Sequence, residues 1–188
     1  MLNIIGLKEG DTVFEPFSGS ATTSLEPQLL GINFLGIDIS PLCDIQGRVK
    51  TESIFCIEEI RNIKNEILSN ISPNLFQTNE NYYNLLDKLT IDERVKNFYI
   101  LARLLIVSDN SRRNRNFINS FIKNVDLMLT SVEDYLKIKK MLNLSLGNVN
   151  IEVGDSRNVK LPDNSIDEII TSPPYSIALD YVQNDVIL

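Results

Sequence analysis

The chain has 188 residues, 43% hydrophobic and 23% charged, which excludes collagen-like, mucin-like and wholly disordered proteins and suffices to bury a core. Lys and Arg number 18 against 25 Asp and Glu, a formal charge of −7, so bulk electrostatics does not mark the chain as a polyanion binder. Histidine is absent and only Cys43 and Cys56 carry thiols, which removes His-based catalysis, a zinc site and a disulfide framework, and no metal is expected. No apolar run reaches membrane-span length and the N-terminus lacks a signal-peptide pattern, so the expectation is a cytoplasmic protein without a membrane partner.

Gly10-Asp11 is a turn signal ahead of Thr12-Val13-Phe14, a short strand. A small-residue loop from Glu15 to Ala21 follows, and Thr22 to Leu30 reads as a helix closed by Gly31. Ile32 to Ile37 is a second strand ending at Asp38, which completes a βαβ unit. Residues 45–145 are almost free of Gly and Pro and helical in period. Ile54, Ile57, Ile60, Ile63, Ile67 and Ile71 form one stripe, and Thr90-Ile91-Asp92-Glu93 reads as a capping box before Val95, Phe98, Ala102 and Leu105. Phe117, Phe121, Val125 and Met128 form a third stripe, and Val132, Tyr135, Leu136 and Met141 a fourth. All four read as core-facing surfaces. Val149 to Val153 is a third strand ending at Gly154-Asp155. Leu161 to Ser165 is a turn, and Ile166 to Thr171 is a fourth strand running into Ser172-Pro173-Pro174-Tyr175.

Two motifs carry chemistry. The Glu15-Pro16-Phe17-Ser18-Gly19 loop lets a ligand approach the backbone at the start of the next helix. Asp38, 19 residues after Gly19 and at the end of the next strand, is placed to accept from ribose hydroxyls. The loop alone fits a dinucleotide site, a methyl-donor site or a tight turn; the strand, loop, helix, strand, acid order favours a nucleoside cofactor. In the second motif, Pro173-Pro174 holds an extended backbone whose carbonyls are free to accept, and Tyr175 offers a flat face for stacking. That is a clamp for an exocyclic amine, though Pro-Pro by itself also simply ends strands.

Taken together, Phe14–Thr23, Gly36-Ile37-Asp38, Gly154-Asp155 and Leu161–Tyr175 resemble the motif series of S-adenosylmethionine-dependent amino-methyltransferases acting on DNA. Ser-Pro-Pro-Tyr is the form seen in the cytosine-N4 enzymes, whereas adenine-N6 enzymes more often carry Asp-Pro-Pro-Tyr. The resemblance covers residues 1–44 and 146–188. It implies that Glu15, Phe17, Ser18 and Gly19 hold the methionine part of S-adenosyl-L-methionine, that Asp38 binds the ribose, and that Asp155 accepts from the adenine amino group. It implies a catalytic role for Ser172, Pro173, Pro174 and Tyr175, which hold a flipped-out base for direct methyl transfer. The fold expected is α/β: a partial Rossmann-like class I methyltransferase sheet of about four parallel strands in the order 3-2-1-4. Its core would be 1–44 with 146–188, and 45–145 an inserted helical subdomain.

The chain also departs from that family. Ala21 stands where a second Gly is usual, a cost of about 1 kcal/mol if its φ is positive. Glu15 replaces the commoner Asp. Only residues 176–188 follow Tyr175, whereas the fold usually has seven strands. The expectation is therefore a truncated or split enzyme, with a complementing chain or second copy covering the sheet edge near 166–171. Arg112, Arg113 and Arg115 form one basic cluster, either a solvated helix end or a phosphate contact. DNA is the expected partner. An RNA base amino-methyltransferase and a non-catalytic remnant or partner subunit are the alternatives; a dehydrogenase would leave Ser-Pro-Pro-Tyr without a reason.

Overall fold

The short apolar runs at both ends of the chain form one parallel sheet in the computed structural model, which describes residues 6–76 and 78–172. β1 (Thr12–Glu15), β2 (Asn33–Asp38), β3 (Val149–Val153) and β4 (Glu168–Ile169) lie in the order β3-β2-β1-β4, all parallel. This is the expected order 3-2-1-4. Val13 pairs with Phe34, and Phe34 with Val149, so apolar positions line up across three strands. Val13, Ala21, Ile32, Phe34 and Ile151 form the buried cluster on this sheet, with Leu7, Val149 and Ile170 packed against it.

The fourth strand is shorter than its sequence suggests. The segment does bond to β1, with the Asp167 N–H donating to Thr12 O at 2.9 Å and that of Ile170 to Phe14 O at 3.0 Å. But the Thr12 N–H donates to Asp167 Oδ2 at 2.7 Å, so a side chain takes a place a strand carbonyl would fill. Among the described residues β4 is an edge of the sheet.

The expected helix over 22–30 is a 3₁₀ turn at Thr22–Ser24 followed by α1 (Leu25–Leu29). The reason is Pro27. A helix begun at Thr22 would carry Pro27 beyond its first turn, where the missing N–H and the ring's clash with residue 23 break it; in α1 it sits in the first turn. α1 ends in a Schellman motif, with the Ile32 N–H on Pro27 O at 2.9 Å, that of Gly31 on Gln28 O at 3.2 Å, and Gly31 at φ 73°. α2 (Pro41–Glu52) follows β2 and opens on a proline, whose fixed φ suits a first helical position.

Two compact units divide the described residues: 6–51 together with 137–172, and 52–136. The second unit is helical, built from α3 (Ile57–Ser69), α4 (Asn79–Leu89), α5 (Glu93–Arg113) and most of α6 (Phe117–Met141). Ile57, Ile60, Ile63 and Ile67 are all buried, as the first stripe requires. The Tyr82 hydroxyl donates to Tyr99 O at 3.0 Å, and that of Tyr99 to Ile60 O at 2.5 Å, so these large rings are buried without orphaning their polar ends.

Two local expectations fail here. The cap of α5 is Asp92, whose Oδ1 accepts from the Arg94 N–H at 2.9 Å, not Thr90. Thr90 instead ends α4, and its hydroxyl bonds to the Glu59 carboxylate. Thr90 Oγ1 does accept an N–H, that of Asp92 at 3.1 Å, but it lies ahead of the helix, so Asp92 is left to serve the first turn of α5. The third and fourth stripes lie on one helix, α6, whose buried face is Phe121, Val125, Leu129, Val132 and Tyr135. Met128 is only half-buried and Met141 is exposed.

Candidate functional site

β1 delivers the chain into the loop from Pro16 to Ala21, and β2 delivers Asp38 beside it. The Ser18 N–H donates to Ile37 O at 3.0 Å, and the Gly19 N–H to Asp38 Oδ2 at 2.8 Å. The other oxygen, Asp38 Oδ1, accepts from the Ser40 N–H at 3.0 Å. Two backbone donors thus fix the carboxylate and leave further lone pairs on both oxygens for a ligand. Gly19 and Ala21 stand at φ 50° and 51°, so the positive φ that strains Ala21 is present.

A cavity of about 690 Å³ opens at the carboxyl ends of the strands. Every strand contributes to it: Phe17 and Gly19 after β1, Asp38 at the end of β2, Asp155 after β3 and Ser172 after β4. The volume suits a nucleoside-sized ligand, and carboxyl ends are where open parallel sheets bind ligands.

Glu15 and Ser18 do not line the cavity. Glu15 is 3% exposed, with Oε2 lacking a partner, and the Ser18 hydroxyl is likewise buried and unpartnered. Burial pushes the Glu15 carboxyl up to about 7; a hydrogen bond with Thr23 opposes this and the charge of Asp38 adds to it. Asp155 caps the 3₁₀ turn Ser156–Asn158 and is gripped by Arg157, with Nη2 on Oδ2 at 2.6 Å and Nε on Oδ1 at 2.9 Å. The Arg157 guanidinium holds the Asp155 carboxyl down at about 2.

Pro173, Pro174 and Tyr175 lie outside the described residues. Arg112, Arg113 and Arg115 belong to the helical unit, at the end of α5 and just beyond it. Arg113 pairs with Asp109 Oδ1 at 3.3 Å and Arg115 with Asp109 Oδ2 at 3.2 Å.

Sequence reasoning missed several wall residues: Ile39, Ser40, Cys43 and Arg157. Ile39 is 77% exposed and Phe17 half-exposed, so both present apolar surface to the cavity. The place of Ile39 directly after Asp38 was the available signal. The Ser40 hydroxyl is buried without a partner, and no sequence pattern marks it.

These features define a Rossmann-like α/β protein with a ligand cavity at the carboxyl ends of its parallel strands. The chain is similar to Type II methyltransferase M.BsoBI of Geobacillus stearothermophilus, 26% identical over 97% of this chain and 47% of that protein. It is also similar to two Type II methyltransferases of Methanocaldococcus jannaschii. With M.MjaII it is 33% identical over 49% of this chain and 17% of the relative, and with M.MjaVI 58% identical over 31 residues, 16% of each. The curated relatives are thus type II methyltransferases, and the fold is consistent with a Rossmann-like methyltransferase. The chain spans about half the length of the first of these relatives and less of the others. No family model and no solved structure matches the chain.

Proposed function

We propose that this chain is the cofactor-binding and catalytic portion of a DNA amino-methyltransferase that uses S-adenosyl-L-methionine, with cytosine N4 as the target atom. The observation that carries the reading is the cavity itself, walled by Gly19, Asp38, Asp155 and Ser172 from four successive strand ends. The resemblance of its motifs and the type II methyltransferase names of the relatives support it.

The residues present fit such a cofactor. Asp38 has the spare acceptor capacity that a ribose diol requires. Phe17 and Ile39 offer apolar faces for a purine. Glu15 is a buried carboxyl with an unpartnered oxygen at the end of β1, and its assignment to the methionine ammonium requires that it ionise and be reached from a cavity whose lining it does not join. Asp155 is kept ionised and therefore acceptor-only, as suits an amino group of a base. The cofactor supplies an electrophilic methyl group. In this reading Ser172 to Tyr175 hold the target amine, and catalysis is chiefly positioning by these groups. Residues 45–145 are taken as an inserted helical subdomain, with 52–136 as its compact unit, and the arginines at 112, 113 and 115 as a phosphate contact. The full reaction is assigned to the assembled enzyme, because the chain spans about half the length of the first relative, with a complementing chain or second copy at the β4 edge.

The test is calorimetric titration of the chain with S-adenosylmethionine and S-adenosylhomocysteine, with Asp38→Ala alongside. One-to-one binding that Asp38→Ala abolishes is expected. Absence of binding at millimolar cofactor rejects the reading. Methyl transfer to duplex DNA against structured RNA then distinguishes the substrates.

A further inference from the structure

α2 carries Cys43, Gly47 and Lys50 at helical spacing. Cys43 lines the cavity. A Cβ at Gly47 would stand 2.8 Å from Ala21 Cβ and 2.3 Å from Ile151 Cδ1, so the helix backbone comes as near the loop as a missing side chain allows. Lys50 Nζ donates to Ser20 O at 2.6 Å and to Thr22 Oγ1 at 2.9 Å. Those two acceptors flank Ala21, whose left-handed φ of 51° an alanine resists. Ser20 and Thr22 are tied to each other as well, their hydroxyls 3.1 Å apart. Ser20 and Gly19 in turn wall the cavity.

We propose that Lys50 is a positioning residue of the cofactor cavity: its ammonium clamps the Ser20–Thr22 turn across Ala21 and holds the Gly19–Ser20 wall in its binding shape. The proposal rests on the reading of the cavity as a cofactor site. The need for a clamp follows from the loop's own conformation. Two of its three residues from 19 to 21 are left-handed, and only one of them is glycine. A relaxed Ala21 would carry Ser20 and Gly19 with it, and the Gly19 N–H would leave Asp38 Oδ2. A charged donor with two acceptors on either side of the strained residue opposes that movement. Partial burial of the side chain pushes the ammonium below its ordinary value, with the charge of Cys43 acting the other way.

The experiment measures the Kd of S-adenosylhomocysteine, well below the thermal midpoint, for the unsubstituted chain, Lys50→Met, Thr22→Ala and their double variant. Ile67→Val removes a buried methyl in the helical unit and serves as a control for lowered stability. Lys50→Met is expected to weaken binding about tenfold, Thr22→Ala less, and the double variant no more than Lys50→Met. Ile67→Val is expected to bind as the unsubstituted chain does. An unchanged Kd in Lys50→Met, an equal loss in Ile67→Val, or full additivity of Lys50→Met and Thr22→Ala overturns the clamp. If the unsubstituted chain binds no S-adenosylhomocysteine, the cofactor reading fails and amide exchange judges the clamp. The Ala21 N–H, which donates to Ser18 O at 2.8 Å, then exchanges faster in Lys50→Met, and an unchanged rate overturns the proposal.

Discussion

Glu15 and Asp38 close the two central strands of the sheet, and the negative charge of Asp38 adds to burial in keeping the Glu15 carboxyl protonated up to about 7. An ordinary carboxyl with its value at 4.5 becomes a group that titrates near neutrality. The pair therefore divides by environment: Asp38 is tied to backbone donors at the cavity wall, and Glu15 is buried outside the cavity lining.

The stability of the chain should carry the signature of Glu15. Folding raises its value, so its contribution is full below about 4.5 and is lost as pH rises through about 7. The unfolding free energy of the unsubstituted chain, relative to Glu15→Gln, should fall by on the order of 3 kcal/mol between those limits. Thermal or urea unfolding across that range checks it, and a flat difference would remove Glu15 as the titrating group.

Ala21 combines a left-handed backbone with a fully buried methyl group. Ala21→Gly relieves about 1 kcal/mol of strain but loses about 0.8 kcal/mol of methyl burial and adds unfolded-chain entropy, so stability should stay within about 1 kcal/mol. Ala21→Val adds a branched side chain where φ is positive and space toward Gly47 is already filled, and should cost about 3 kcal/mol or more. Urea unfolding of both variants separates strain from packing.

The two thiols should differ in reactivity. Cys43 is half-buried and lines the cavity, while Cys56 is buried and its thiol is pushed up to about 11, chiefly by that burial. Iodoacetamide at pH 8 should label Cys43 and spare Cys56, and S-adenosylhomocysteine should slow the labelling of Cys43. Mass spectrometry of the labelled peptides reads both; labelling of Cys43 unaffected by saturating ligand would place the ligand elsewhere.

The arginine cluster gives a salt-dependent prediction. If Arg112, Arg113 and Arg115 meet phosphates, reversing their charge should weaken duplex DNA binding and lower the slope of log K against log salt by about 1 for each phosphate no longer neutralised. Equal slopes would leave Arg113 and Arg115 as partners of Asp109 at a helix end and nothing more.

Turn residues and apolar periodicity act between near neighbours, and whatever depends on them was legible in the chain. Thr12–Glu15, Asn33–Asp38 and Val149–Val153 are strands where Gly, Asp and short apolar runs mark them, while the 3-2-1-4 order was implied by the family resemblance, since the βαβ unit by itself sets only β1 beside β2. Asp38 and the small-residue loop were equally visible, because a ligand-binding turn needs those residue types whatever surrounds it. Packing settled the rest. Lys50 meets Ser20 across 30 residues, Asp167 takes a backbone donor 155 residues away, and burial turns Glu15 into a group that titrates near 7. Such pairings depend on which surfaces folding brings together and how much water it removes, and neither quantity is written in the order of neighbouring side chains.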